Sequence, residues 1–366
     1  MPLPASSSSA VRPSLHVDRS GAERDDADLL ARVFVEPATR VLAIRRDAAP
    51  LVDGRLALLP VSRFLPVATI PGAAAVRDDE PAPDGATTAR GARPEPDGAS
   101  IAHRVDSAPN ATATVPGDHP TPDVLEWAFL GRADDGAAIL LAVLADDAAG
   151  EVSSAPGTLA PDATWIGLRA AGGDLPEGEA ELLTTAVALA GWLRDAPFCP
   201  ACGARTRVEH AGWSRHCPVC GREHFPRTDP AVIVLVTSAE ADRVLLGANA
   251  AWGGARYSCF AGFAEAGESL EDAVAREVNE ESNVHLHRVE YRGSQAWPYP
   301  RSLMLGFRAE VVDEAAARAD GDEIVEVRWF TRDEVGAALR GEAAVQLPGA
   351  ASIAHRLIDE WYRGIA

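Results

Sequence analysis

Residues 262–284 read Gly262-Phe-Ala-Glu-Ala-Gly-Glu268-Ser-Leu-Glu-Asp-Ala-Val-Ala-Arg276-Glu277-Val-Asn-Glu280-Glu281-Ser-Asn283-Val284. Ser269, followed three residues later by Asp272, is a helix-starting pattern of the capping-box kind. Leu270, Ala273, Val274 and Val278 then give an apolar face, which predicts a helix over 270–282. Residues three and four apart share one side of a helix, so Glu277, Glu280 and Glu281 project together. Like charges crowded this way destabilise an isolated helix. They become favourable when a hard divalent cation sits among the oxygens. The plain alternative is a solvated acidic face. It gives no reason for the glycine-bearing loop that leads into the cluster, or for Arg276 inside it.

Downstream of residue 230 the texture is α/β. Apolar runs at 231–236 and 243–248 predict strands, as do 290–293, 303–311 and 325–330, and a last helix is predicted over 352–363. Upstream lies Cys199-Pro-Ala-Cys202-Gly, then Cys217-Pro-Val-Cys220-Gly. Two such knuckles supply four sulfur ligands in a tetrahedron, the geometry Zn²⁺ accepts. A closed shell leaves no place for water, so one structural zinc per chain is expected. A redox dithiol or an iron–sulfur site fits paired knuckles less well. His210, His216 and His224 nearby read as surface histidines, and Cys259, in an apolar stretch, as a buried structural thiol.

The first residues, 1–23, read as a disordered start without the apolar segment of a secretory signal. Short apolar runs at 33–35, 56–59 and 64–67 predict strands, as do 127–130 and 138–144 around a turn at 134–136. Leu182, Ala186, Leu189, Ala190 and Leu193 predict a helix over 177–193. Between them, residues 72–123 contain no Phe, Trp or Tyr and read as a flexible insertion.

The 366 residues are enough for two or three cores, and 47% hydrophobic composition excludes a wholly disordered chain. The longest apolar run, 137–145, is far short of the ~20 residues a spanning helix needs. A formal charge of −20, with no lysine at all, makes the chain a poor non-specific binder of nucleic acid or anionic membranes.

The 262–284 segment resembles the Nudix box, G-x5-E-x7-R-E-U-x-E-E-x-G-U with U bulky and apolar. Gly262, Glu268, Arg276, Glu277, Val278, Glu280, Glu281 and Val284 match. Asn283 stands where the box has Gly. Asn is the next-best residue for the left-handed backbone that follows a helix, so a small stability cost is expected. The resemblance implies hydrolysis of nucleoside diphosphates linked to another group, with Mg²⁺ or Mn²⁺. It implies Glu277 and Glu281 as metal ligands, Glu280 as ligand or base, and Glu268 and Arg276 as braces of the loop and helix. Ala261 would offer its backbone carbonyl to a metal.

Beyond the box, Ser294-Gln295-Ala296-Trp297-Pro298-Tyr299-Pro300-Arg301-Ser302 is similar to the S-Q-P-W-P-F-P-x-S array of the NADH pyrophosphatase branch, with Ala296 for Pro and Tyr299 for Phe. Its prolines predict an extended loop that preorganises aromatic and amide groups. An ordinary Pro-rich surface loop is the alternative, and the place after a Nudix box tells against it. The resemblance implies substrate contacts at Gln295, Ala296, Trp297, Pro298, Tyr299, Pro300, Arg301 and Ser302. It further implies stacking on a flat ring by Phe225 and Phe263, a backbone contact at Ala354, and a further metal-binding Glu at Glu323, with Glu326 competing.

The implied fold class is α+β: a Nudix α/β/α sandwich with a mixed sheet, preceded by a zinc ribbon and a small β-rich N-terminal domain. The boundaries expected are 24–193 for the N-terminal domain with its insertion, 194–227 for the ribbon and 228–366 for the Nudix domain. The activity implied is cleavage of NAD(H) to nicotinamide mononucleotide and AMP, and removal of NAD caps from RNA 5′ ends, by a cytoplasmic homodimer. The alternatives are a broader Nudix hydrolase of ADP-ribose or dinucleoside polyphosphates, and a non-catalytic nucleotide sensor or RNA adaptor.

Overall fold

The computed structural model describes residues 15–64, 123–146, 159–253 and 255–365. The N-terminal region is built from β1 (Val17–Asp18), α1 (Leu29–Val35), β2 (Arg40–Ile44), β3 (Ala48–Val52), β4 (Arg55–Leu56), β5 (Leu59–Pro60), β6 (Val124–Ala133), β7 (Ala138–Leu144), β8 (Thr164–Gly167), α2 (Leu168–Ala171) and α3 (Glu177–Asp195). One sheet runs β1-β6-β7-β2-β5, with β2 parallel to β7 and the other pairs antiparallel. A smaller antiparallel sheet runs β4-β3-β8.

Alternate residues of β7 point to opposite faces. Ile139, Leu141 and Val143 pack with Leu182, Ala186 and Leu189 of α3, while Ala138, Leu140 and Ala142 pack with Leu29, Val33 and Phe34 of α1. The strand predicted at 33–35 is therefore helix. Leu29, Val33 and Phe34 are buried at helical spacing, and a three-residue apolar window is too short to reveal that period. Val17 and Asp18, expected in the disordered start, pair with Ala133 and Arg132 of β6. Two paired residues leave no alternation to read. The insertion assigned to 72–123 lies outside the described residues except for Asp123, and so does the strand at 64–67 except for Phe64.

The cysteine module adds β9 (Arg207–Glu209), β10 (Ser214–His216) and β11 (Glu223–His224), an antiparallel sheet of order β11-β10-β9. It sits against the N-terminal region. The Trp213 indole N–H donates to the Phe129 carbonyl at 2.7 Å. The fully buried Arg215 donates to Leu193 O at 2.5 Å and to Glu126 at 3.1 Å. Gly212, at φ +96°, approaches so closely that a Cβ there would lie 2.2 Å from the Ala128 methyl.

The C-terminal region follows with β12 (Asp229–Thr237), β13 (Arg243–Asn249), β14 (Phe260–Phe263), α4 (Leu270–Ser282), β15 (Leu286–Trp297), β16 (Ser302–Val311), β17 (Ile324–Thr331), α5 (Arg332–Leu339) and α6 (Ile353–Tyr362). Its sheet runs β15-β16-β12-β13-β17, with β14 also on β12. Only β12 and β16 are parallel, so the sheet is mixed, as expected. Val232, Val234 and Val236 face Ala273, Val274 and Val278 of α4, and Ile233 and Leu235 face Ile353, Leu357 and Ile358 of α6. That is the α/β/α sandwich. Contrary to the expected loop, Ser294–Trp297 forms the end of β15, paired with Leu305 to Ser302 of β16, and only 298–301 make the turn. Tight hairpin pairing leaves the prolines just the turn itself.

Candidate active site

The four cysteines meet as their spacing demands. All four sulfurs lie within 4.8 Å of one another, with Cys199 to Cys220 at 3.6 Å and Cys202 to Cys217 at 3.5 Å. Zn–S bonds of about 2.3 Å in a tetrahedron require S–S edges of ~3.8 Å, so the cluster fits zinc. Gly203 and Gly221, at φ +75° and +71°, return their N–H groups to Cys199 O and Cys217 O, both at 2.9 Å. The backbone N–H of Cys220 holds the Cys217 thiol well below its usual range, while the crowded sulfurs push Cys202 up to about 12.

The carboxylate helix begins and ends where the sequence placed it. Ser269 Oγ accepts from Asp272 N at 3.1 Å, and Asn283 takes the left-handed conformation at φ 57°. Arg276 organises the loop before it. Its Nε and Nη2 donate to Glu268 at 2.8 and 2.9 Å, Nη2 also to Phe263 O at 2.9 Å. Its Nη1 pairs with Glu277 at 2.9 Å and donates to Glu280 at 3.2 Å. The guanidinium holds the Glu268 carboxyl down at about 2. Gly262 makes room for Glu277: a Cβ there would lie 2.0 Å from the Glu277 carboxyl.

Glu281 is 5% exposed, and its Oε2 accepts from the Ala261 N–H at 3.2 Å. Burial pushes its pKa up to about 8, and the charges of Glu323, Glu277 and Asp320 push the same way. Burial raises Glu277 as well, against the pull of Arg276. Burying acids beside other acids is unfavourable unless a cation joins them, so this donor set suits a hard divalent ion. Among the described residues only the cysteines bring three or more metal-binding side chains within 4.8 Å of one another. Glu277 is turned to Arg276, and Glu280 is 60% exposed. Glu323 is set by a loop in which Asp320 Oδ1 accepts from the N–H groups of Asp322, Glu323 and Ile324, and Asn249 Nδ2 donates to it at 3.3 Å. Glu326 instead lies opposite Ala248 on β17, near the Tyr257 hydroxyl, whose pKa burial and then Glu326 raise.

A cavity of about 580 Å³ is lined by Ala261, Glu281 and Glu323 together with Gln295, Trp297 and Ala354. Gln295 spans Ala351 O and Ile353 N, both at 2.7 Å, and so fixes the start of α6 on the wall. Strand alternation explains why Gln295 and Trp297 reach the cavity while Ala296 does not. Pro298, Tyr299, Pro300, Arg301 and Ser302 lie outside the lining: Arg301 pairs with Asp229 at 2.9 Å, and Ser302 is buried in β16. Phe225 and Phe263 are exposed side chains outside it too. Cys259 is a buried wall residue, its thiol pushed up to about 12 by desolvation. The sequence reading missed Arg169, which reaches the lining from α2 of the N-terminal region, and Asn249. No local pattern marks Arg169, whose neighbours in the cavity are distant in sequence.

Family models match three adjoining stretches: an NADH pyrophosphatase-like rudimentary NUDIX domain at 39–192, an NADH pyrophosphatase zinc ribbon domain at 194–225, and a NUDIX domain at 227–348. The chain is 43% identical over 259 residues to the NAD-capped RNA hydrolase NudC of Mycobacterium tuberculosis (strain ATCC 25618 / H37Rv), covering 67% of this chain and 77% of that protein. It is 40% identical over 202 residues to the NAD-capped RNA hydrolase NUDT12 of Macaca fascicularis, covering 52% and 43%. A NUDIX hydrolase structure from Nitrosomonas europaea shares 27% identity over 41% of this chain and 96% of its own, with a TM-score of 0.30. The cysteine cluster, the carboxylate helix and the relatives agree, and the chain belongs to the NADH pyrophosphatase branch of the Nudix hydrolase family.

Proposed function

We propose that the protein hydrolyses the pyrophosphate of NAD(H), giving nicotinamide mononucleotide and AMP, and removes NAD caps from RNA 5′ ends. The observation that carries this reading is the buried acid Glu281, set with Glu323 and Ala261 in the wall of a cavity that also presents the Trp297 ring. Mg²⁺ or Mn²⁺ would be held by Glu277, Glu281, Glu323 and the Ala261 carbonyl, and when bound would neutralise the diphosphate and acidify a water. The chain's own residues do the rest. Glu280, exposed, bonded to Arg276 and outside the cavity lining, would take a proton on its carboxylate. Arg276 and Glu268 keep the loop and helix in register. Trp297 offers a flat face to a base or nicotinamide ring.

The division into an N-terminal domain at 24–193, a ribbon at 194–227 and a catalytic domain at 228–366 belongs to the same proposal, as do a cytoplasmic location and a homodimer. No helix among the described residues is long and apolar enough to cross a membrane. The ribbon's exposed Phe198, Val219 and Phe225 support an association surface. With a charge of −20, the chain would engage RNA through the cap rather than along its length.

The test is product analysis after incubation with NADH and Mg²⁺ or Mn²⁺. Nicotinamide mononucleotide (reduced) plus AMP is expected. Preferred turnover of ADP-ribose or a diadenosine compound would support the broader hydrolase, and binding without divalent-dependent hydrolysis would support the sensor.

A further inference from the structure

Tyr299 lies in the turn between β15 and β16, outside the cavity lining, yet its hydroxyl reaches the N-terminal region. It accepts the Arg169 backbone N–H at 3.0 Å and lies 3.2 Å from Asp47 Oδ2, to which it donates. The Arg169 guanidinium lies 3.9 Å above the Tyr299 ring and 5.7 Å from the ring of Trp297. The two rings are themselves 5.2 Å apart. Arg169 and Trp297 both line the cavity. Asp47 is held in turn, since its main-chain carbonyl accepts from Leu168 N at 3.0 Å. Its carboxylate packs against Gly167, where a Cβ would lie 3.1 Å from Oδ2.

An arginine side chain has many rotamers, and fixing one in a cavity wall is costly without help. Here the backbone of Arg169 is fastened to a hydroxyl, and its guanidinium rests on the ring that carries that hydroxyl. A phenylalanine, the residue of the branch's array at this position, would keep the ring and lose both hydrogen bonds. Burial, and then the Asp47 charge, push the Tyr299 hydroxyl up to about 12, so it stays a donor across the neutral range.

We propose that Tyr299 is a positioning residue: its hydroxyl, shared between Asp47 and the Arg169 backbone, fixes the Arg169–Trp297 wall and makes the N-terminal region part of the substrate site. This rests on the proposed NAD(H) hydrolysis and deepens it. The link shapes binding rather than chemistry, because neither Tyr299 nor Asp47 is among the groups that line the cavity. Losing it removes interactions common to bound substrate and transition state, which raises KM and leaves kcat in place.

The experiment is steady-state NADH hydrolysis by the full chain and the variants Tyr299→Phe, Asp47→Asn, Arg169→Ala and Arg169→Ala/Tyr299→Phe, each checked for zinc content and thermal midpoint. Tyr299→Phe should raise KM by about five-fold, the scale of a lost hydrogen bond, with kcat within about two-fold. Asp47→Asn should do the same to a lesser extent, and tests the link if Tyr299→Phe folds poorly. Once Arg169 is truncated, Tyr299→Phe should add nothing to KM. An unchanged KM in Tyr299→Phe, a fall in kcat alone, or full additivity with Arg169→Ala would overturn the proposal. Absence of NADH turnover in the unaltered protein would instead overturn the proposed function, so the two failures are distinguishable.

Discussion

Two helices lie on two sheets in this molecule, α3 on the N-terminal sheet and α4 on the C-terminal one, and each buries a glutamate. Glu179 of α3 is 4% exposed and fully provided for: its Oε1 takes Arg55 Nε at 2.5 Å, and its Oε2 takes the Leu56 N–H at 2.8 Å. Glu281 of α4 is buried to the same degree but is given one backbone N–H, with Glu277 and Glu323 for company. A buried acid with its partners present belongs to stability, while a buried acid left among its own kind is waiting for a ligand. The apolar faces alone would not distinguish the helices.

Substitutions on the two helices test this difference. The largest effect is expected for Glu281→Gln. NADH turnover should fall at least about a hundredfold while the protein stays folded and retains zinc, as turnover and metal analysis would show. Wild-type turnover in this variant would remove the carboxylate assignment. Next, Gly262→Ala should cut kcat by roughly ten-fold or more, because the added methyl takes the place of the Glu277 carboxyl 2.0 Å away. Glu179→Ala is the counterpart on the other helix. Chemical denaturation should show a loss of about 2 kcal/mol, since the half-buried Arg55 and the Leu56 N–H lose their acceptor. Its kcat should not change.

Smaller still is Gly191→Ala in α3, where an added Cβ meets nothing within 4 Å. Helix propensity predicts a gain of up to about 1 kcal/mol in the same denaturation measurement, the opposite sign to Glu179→Ala. A further effect is on pH dependence. The Glu268 carboxyl sits at about 2 when folded, against an ordinary 4.5, because Arg276 favours its charged form. Its contribution to stability is thus complete above about 4.5 and fades as pH falls toward 2. Denaturation curves of Glu268→Gln and the unaltered chain should converge over that acid window.

Much of the catalytic half was legible because its elements are long and periodic. The helix at 270–282 and the left-handed Asn283 stand where the sequence placed them, since a cap, an apolar stripe and a stop signal all lie within one stretch. The cysteine cluster was legible for a related reason: spacing alone fixes the geometry of a knuckle. The structure placed other features beyond local reading. Val33–Val35 needs the register of Leu29 to be seen as helix. The array at 294–302 divides between strand and turn according to its pairing with β16, a tertiary matter. Of the substrate contacts implied there, the cavity takes Gln295 and Trp297, and it adds Arg169 from across the molecule.

Trp213 and Val208 pack into the N-terminal core, the Trp213 indole is pinned to Phe129, and Arg215 closes over Leu193. A chelator that strips the thiolates therefore unseats a lid from a neighbour that has no sulfur ligand at all. Metal loss would be felt first as wetting of β6 and the end of α3, so the two units should melt together rather than in turn.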